Sequence, residues 1–246
     1  MQKSNTIYGI RTVIEALNSN KTIDKVFLQK GLRGSLHHEL MAALKQKDVP
    51  VAYVPFQKLD RLTQNNHQGV VALISPIRFF ELEELVESVI TTHNLPLFLL
   101  LDGISDVRNF GAIIRTAECS GTHGIIIPKK GAAQVNADTV KTSAGAAFKV
   151  PIAKTDHIKD AIFYLQASGI PVIAATEKTP QSIYDINFNR PCGIVMGAED
   201  SGISPSVLKS VDHKAKLPLL GEIQSLNVSV ACGVFLYEVV RQRGVV

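Results

Sequence analysis

The sequence predicts an α/β protein of two domains, and three observations carry that expectation. From residue 97 onward, short and almost wholly apolar runs alternate with helical or polar segments, the pattern of a mostly parallel sheet covered on both faces. Residues 1–75 alternate apolar runs with helical patterns on a smaller scale. The charge changes along the same divisions: residues 1–75 carry 10 Lys/Arg against 5 Asp/Glu, residues 76–96 one Arg against four Glu, and residues 97–246 a nearly balanced 15 against 13. A basic head, an acidic connector and a near-neutral body mark domains at 1–75, 76–96 and 97–246, within what 246 residues can hold.

In the head, "VFLQ" (26–29), "VAYV" (51–54) and "GVVALIS" (69–75) read as strands. "GIRTVIEALNS" and "SLHHELMAALKQK" read as helices, the second with Leu36, Leu40, Ala43 and Leu44 on one face. Segment 76–95, "PIRFFELEELVESVITTHNL", is an amphipathic acidic helix between prolines, read as a linker or equally as a surface helix of one continuous domain. In the body, "LFLLLD" opens a buried strand. "NFGAIIRTAECSG" follows as a helix, with Asn109 expected as its N-cap, Gly121 just past its end and Phe110, Ile113, Ile114 and Ala117 as its apolar stripe. "GIIIP", "PVIAAT", "CGIVMG" and "AKLPL" continue the strands, and a helix is expected from about Pro205.

Composition excludes several classes. The three cysteines, Cys119, Cys192 and Cys232, are far apart and odd in number, so neither a disulfide framework nor a zinc site follows. The start has no apolar signal region and no run is long enough to span a bilayer, so a cytoplasmic, soluble protein is expected, without a membrane partner. Neither a G-x-G-x-x-G after the first strand of either domain nor a phosphate loop, a G-x-S-x-G elbow or an H-E-x-x-H is present, and no carboxylate array suggests a metal. The basic head suits nucleic acid, and it equally suits an ordinary solvated surface.

What remains is a set of polar clusters placed just after apolar strands: "GISDVRNFGAIIRTAE", "TEKTP", "GAEDSG" and "LLGEIQSLNVS". Ligands of parallel sheets sit beyond the carboxyl ends of the strands, so these clusters are expected to line one crevice. Arg115 falls off its helix's apolar stripe and reaches away from the core. Ser225, Asn227 and Ser229 alternate where the last helix begins.

Taken together, "NFGAIIRTAE" (109–118), "GIVMGAEDSGI" (193–203) and "KLPLLGEIQSLNVSVA" (216–231) resemble the three signature motifs of the SpoU/TrmH branch of the SPOUT methyltransferases, with "TVKTSAGAAFKVPIAK" (139–154) extending the match. "GIRTVIEAL" and "HQGVVALIS" resemble that family's L30e-like substrate-binding domain. The resemblance covers nearly the whole chain, and the combination of motifs is far more specific than any one of them. One departure stands out: the family usually has Asp-Pro ahead of the first motif, where this chain has Asp106-Val107.

The resemblance implies a fold of a small L30e-like α/β domain followed by a SPOUT domain whose carboxy-terminal part forms a trefoil knot. It implies S-adenosyl-L-methionine as methyl donor, no metal, and a homodimer built through the carboxy-terminal domain. Gly197, Leu217 and Leu226 would line the cofactor pocket with Thr176 and Ser225 close by, while Asn109, Arg115, Glu199, Ser225 and Asn227 match catalytic and substrate positions. The final helix, apolar at Val230, Val234, Phe235, Tyr237 and Val239, suits dimer packing or an internal core. The acceptor would be a ribose 2′-hydroxyl of RNA, not DNA, and the nearest group suggested is the bacterial 23S rRNA guanosine 2′-O-methyltransferases. A tRNA ribose methyltransferase and a non-catalytic RNA-binding assembly factor are the alternatives. Because a guanidinium keeps its proton in proteins, Arg115 suits a phosphate clamp better than a base, with Glu199 expected to orient it.

Overall fold

The computed structural model describes residues 6–19, 21–223 and 225–244, so the first residues of the amino-terminal stretch read above lie outside it. The chain divides into two compact units, Met1–Arg78 and Phe79–Val246.

The first unit is a four-stranded sheet. β1 (Thr6–Tyr8), β2 (Ile23–Gln29), β3 (Val51–Val54) and β4 (Val70–Ile74) lie in the order β1-β4-β2-β3, antiparallel except for the β2–β3 pair. α1 (Ile10–Asn18) presents Val13, Ile14 and Leu17 to the sheet, and α2 (Ser35–Gln46) presents Leu40 and Leu44. These pack on Val26, Leu28, Val70 and Ala72, all fully buried. α3 (Phe56–Leu62) buries only Leu59, which explains why no helical stripe announces it; β1 is three residues long and equally silent. The turn into β4 is pinned by His67, which is 3% exposed. Its Nε2 lies 3.1 Å from Asp60 Oδ1 and its Nδ1 accepts from the Gly69 amide at 3.0 Å. Gly69 has φ +78°, and a Cβ there would sit 2.9 Å from the Gln29 side chain, so the "HQG" triplet serves this turn.

The second unit holds seven strands: β5 (Phe80–Glu81), β6 (Leu97–Asp102), β7 (Gly124–Pro128), β8 (Ile152–Thr155), β9 (Val172–Ala175), β10 (Cys192–Gly197) and β11 (His213–Ala215). Their order is β11-β9-β10-β6-β7-β8-β5, and every pair is parallel. The central strands β6 and β10 are buried along nearly their whole length, as their unbroken apolar runs require. Helices α4 (Leu82–Thr92), α5 (Val107–Cys119), α6 (Ala137–Thr142), α7 (Ile158–Ala167), α8 (Pro205–Leu208) and α9 (Val228–Gln242) complete the unit.

Three expectations are corrected here. The acidic helix is not a connector: Leu82, Leu85, Val86 and Val89 of α4 are buried in the core of the second unit, and β5 pairs with β8 just before it. The division falls after Arg78 because those apolar positions need the sheet to cover them. The strand expected at "AKLPL" ends at Ala215; Lys216 makes only an isolated bridge to Ser182, and Pro218 has no N–H to extend the ladder. Asn109 is not the cap of α5; that place belongs to Asp106.

The carboxyl end of α9 is tied down. Arg243 donates to the carbonyls of Leu95 (2.7 Å), Arg190 (2.8 Å) and Phe188 (3.1 Å), joining the chain's end to the segments that enter β6 and β10. Burial lowers this guanidinium's pKa, the nearby Cys192 opposing the shift. One residue earlier, Gln242 donates to the Ile186 carbonyl and accepts from the Phe188 amide.

Candidate active site

In the second sheet, the connection from β6 runs to β7 on one side, whereas β10 and β9 lie on the other. The strand order reverses between the parallel neighbours β6 and β10, and the crevice of an open parallel sheet forms at the carboxyl ends of such a pair. The two loops there are laced together: Asp102 Oδ2, at the end of β6, accepts from the Ser204 amide beyond β10 at 2.8 Å.

α5 starts in that crevice. The Asp106 carboxylate accepts from the amides of Arg108 (2.9 Å) and Asn109 (2.8 Å), which satisfies two of the helix's free N–H groups. Val107 takes the first helical position, where the family's proline would sit; the Asp106 cap sets the turn in its absence. Asn109 therefore lies in the first turn with its side chain free to reach outward. Its Nδ2 donates to Glu199 Oε2 at 2.8 Å.

Asn227 completes the arrangement. As N-cap of α9 its Oδ1 accepts from the Ser229 amide (3.0 Å) and hydroxyl (2.6 Å). Its Nδ2 donates to Asn109 Oδ1 (3.1 Å) and to Glu199 Oε1 (3.0 Å). One side chain thus caps a helix with its oxygen and bridges two other loops with its nitrogen. The three residues, from three separate motifs, form a closed triangle of hydrogen bonds in which both Asn227 amide hydrogens are used. One Asn109 amide hydrogen is left over.

Beside the triangle lies a cleft lined by Thr176, Gly197, Leu217, Ser225 and Leu226, the five residues the resemblance assigned to the cofactor, together with Glu199. Ser225 faces this cleft and takes no part in the triangle. Gly197 admits no side chain: a Cβ would stand 2.2 Å from the Gly202 carbonyl carbon and the Ile203 amide nitrogen. The loop folds back that tightly because Ala198 and Gly202 exchange two backbone hydrogen bonds, with Gly202 at φ +67°. Along the cleft's other wall, among the described residues, no backbone hydrogen bond engages segment 217–226. Unpaired amides and carbonyls beside apolar Leu217, Leu226, Val228 and Phe235 are what the polar edge and flat apolar faces of a nucleobase require. A nucleoside cofactor fits this wall.

Arg115 lies apart. It is exposed, and among the described residues it has neither a hydrogen bond nor an ion pair. Glu199 does not orient it, contrary to expectation, because both Glu199 oxygens are held by the asparagines. Arg115 also stands six residues beyond Asn109, roughly 9 Å along the helix axis. Glu177, inside the "TEKTP" cluster expected at the crevice, and Asp102, the last residue of "LFLLLD", are site residues that the three family motifs do not single out. The cysteines offer no nucleophile here: burial pushes Cys232 up to about 12 and Cys192 up to about 11, the latter partly offset by Arg243 and Arg190. Among the described residues no group of three His, Cys, Asp or Glu is placed to hold a metal ion.

The geometry can now be set beside known proteins. The family model described as SpoU rRNA Methylase matches residues 96–237, and that described as RNA 2'-O ribose methyltransferase substrate binding matches residues 6–80. The chain is 34% identical over 249 residues to the 23S rRNA (guanosine-2'-O-)-methyltransferase RlmB of Pseudomonas putida, covering 100% of this chain and 99% of the relative. It is 32% identical over 242 residues to YacO of Bacillus subtilis, whose name places it in the TrmH family of tRNA/rRNA methyltransferases, with 98% and 97% covered. The crystal structure of an AdoMet-bound rRNA methyltransferase from Sinorhizobium meliloti is similar with a TM-score of 0.61 and 25% identity, over 96% of this chain and 86% of that one.

Proposed function

The chain belongs to the SpoU rRNA methylase family, and from that premise we propose that it transfers the methyl group of S-adenosyl-L-methionine to a ribose 2′-hydroxyl of RNA, a guanosine of 23S rRNA. The observation that carries the reading is the Asn109–Glu199–Asn227 triangle beside a cleft that suits a nucleoside. The full-length match to a 23S rRNA guanosine methyltransferase supports the substrate.

Bound in the cleft, the cofactor supplies an electrophilic methyl on a sulfonium. The chain's own residues do the rest. Gly197 and segment 217–226 give the nucleoside its backbone partners and apolar walls. The triangle holds three loops in one geometry, so that the acceptor hydroxyl meets groups that need no rearrangement. The remaining Asn109 N–H is directed at incoming substrate. Arg115, exposed and uncommitted, clamps a phosphate next to the target ribose through its planar fork.

The same proposal includes three coarser parts of the assembly. Val230, Val234 and Tyr237 of α9 are 53%, 37% and 52% exposed at i, i+4 and i+7, an apolar stripe suited to a second copy of the chain; Phe235 and Val239 of the same helix are core instead. A trefoil knot in the carboxy-terminal part belongs to the same reading, on the strength of the family membership. The first unit grips the RNA, with the cytoplasm as the place of action; no helix among the described residues is long and apolar enough to cross a membrane.

The test is to incubate the protein with methyl-labelled S-adenosylmethionine and, separately, unmodified 23S rRNA, 16S rRNA and tRNA, then map alkali-resistant dinucleotides. Label on a guanosine ribose of 23S rRNA is the expected result. Label in tRNA alone overturns the substrate and keeps the chemistry; cofactor binding without label on any RNA overturns the catalytic reading.

A further inference from the structure

Glu177 stands two residues past the end of β9, the strand beside β10, and lines the same cleft as Gly197 and Leu217. The backbone aims it there. The Thr176 amide donates to the Ala215 carbonyl at 2.9 Å, and the Lys178 amide donates to Thr176 Oγ1 at 3.2 Å, a tight turn with Glu177 at its apex. Thr176 is buried, whereas Glu177 is exposed to the cleft. Two carboxylates line this cavity, and they differ in one respect. Glu199 has both oxygens engaged by Asn109 and Asn227. Glu177, among the described residues, has neither a hydrogen bond nor an ion pair. A carboxylate held by its backbone at a ligand cleft, with all its acceptor sites open, has the form of a ligand group.

Resting on the cofactor reading above, we propose that Glu177 is a cofactor-binding residue whose two oxygens accept hydrogen bonds from the two ribose hydroxyls of the adenosine moiety. Two features select the diol among the groups a carboxylate could meet. A carboxylate's paired oxygens match two vicinal hydroxyls in a two-bond grip. The placement also follows the logic of nucleotide sites in parallel sheets, where the backbone approaches the ligand at glycines ending one strand and an acid beyond the neighbouring strand takes the ribose. Here Gly197 and Gly202 bring the backbone close after β10, and Glu177 follows β9. The cofactor also offers a sulfonium and an ammonium, and each would leave a different signature.

Titration calorimetry of the full chain separates them, using S-adenosylmethionine, S-adenosylhomocysteine, which lacks the sulfonium, and 5′-methylthioadenosine, which lacks the amino-acid part as well. The expected result is that Glu177→Ala weakens all three by the same factor, at least ~10-fold for a lost pair of charge-assisted bonds. Glu177→Gln, which keeps one acceptor oxygen, should fall between. A loss confined to S-adenosylmethionine overturns the proposal in favour of the sulfonium, and a loss sparing methylthioadenosine overturns it in favour of the ammonium. Wild-type affinity in Glu177→Ala overturns it outright while the cofactor reading stands. Absence of binding to the wild-type chain overturns both. Thermal unfolding of the two variants, expected at the wild-type midpoint for an exposed side chain, separates a local loss from a folding defect.

Discussion

Asn227→Asp is a sharp perturbation of the site because it leaves half of the residue's work intact. The new carboxylate still accepts from the Ser229 amide and hydroxyl, so the cap of α9 survives, and a negative charge at a helix N-terminus is favourable by about 0.5 kcal/mol. The other half inverts. Where Nδ2 donated to Glu199 Oε1 at 3.0 Å, an oxygen of like charge now faces that carboxylate. Two unit charges 3 Å apart in a water-like medium repel by about 1.4 kcal/mol, and the lost donor bonds to a charged and a neutral acceptor add roughly 1–2 kcal/mol. The net is a destabilisation of about 2–3 kcal/mol, a fall in the second unit's Tm of roughly 4–10 °C. Asn227→Ala reaches a similar magnitude by another route, losing about 1 kcal/mol for the cap together with the bridging bonds. Glu199→Gln distinguishes the two. In the N227D background it removes the repulsion and restores a donor, so the E199Q/N227D pair should recover about 1.5–2 kcal/mol relative to additivity; in the N227A background it should recover nothing. The sign with pH follows: the repulsion needs both groups ionised, so N227D regains stability as pH falls from 7.5 toward 4.5. The assay is thermal or urea unfolding of five variants at two pH values, with cofactor affinity alongside. If N227D is as stable as the parent chain at pH 7.5 and the cycle is additive, the triangle does not hold the three loops together and the mechanism built on it fails.

Four further outcomes follow from the same geometry. Arg115→Lys keeps the charge and loses the fork, so methyl transfer should drop by at least ~10-fold with cofactor affinity unchanged; near-normal turnover would remove the clamp. Gly197→Ala forces a Cβ to within 2.2 Å of the Gly202–Ile203 peptide, so the loop must move, costing about 1–3 kcal/mol of stability and most cofactor binding in calorimetry. Deleting residues 1–78 should leave cofactor binding intact and abolish methylation of rRNA; full activity of residues 79–246 would refute the assignment of RNA gripping to the first unit. His123 sets an acid limit. Its pKa is lowered from 6.5 to about 4 by burial first, then by His93 and Arg243, while its Nδ1 accepts from the Leu97 amide at 3.0 Å. A depressed folded-state pKa gives stability that is present above pH 6.5 and lost as the pH falls toward 4, so His123→Gln should flatten that part of the unfolding profile.

Strands made wholly of apolar residues were legible to the residue: β6, β7 and β10 begin and end where "LFLLLD", "GIIIP" and "CGIVMG" do. Elements with one buried side chain, such as α3 on Leu59, carry no period to read. Asp106 takes the cap from Asn109 because helix starts are decided by which side chain reaches forward to the amides two and three residues ahead, and both residue types are good candidates. In the site, alternation at Ser225, Asn227 and Ser229 signalled something beyond a cap. That Asn227 meets Asn109 and Glu199, 118 and 28 residues away in sequence, depends on sheet order. Glu177 lay in the "TEKTP" cluster expected at the crevice; that it shares one cleft with Gly197 depends on the pairing of β9 with β10.

The order in which the chain is made gives the triangle a second meaning. Asn109 emerges first, Glu199 follows 90 residues later and Asn227 comes 118 residues after Asn109. Synthesis at about 5–20 residues per second puts roughly 6–24 s between the first and last of them. The helix that carries Asn227 is itself held by Arg243, a further 16 residues on. A growing chain that has not reached Asn227 therefore carries the central strands but no joined triangle, and the three loops are locked together only once the last of them is made.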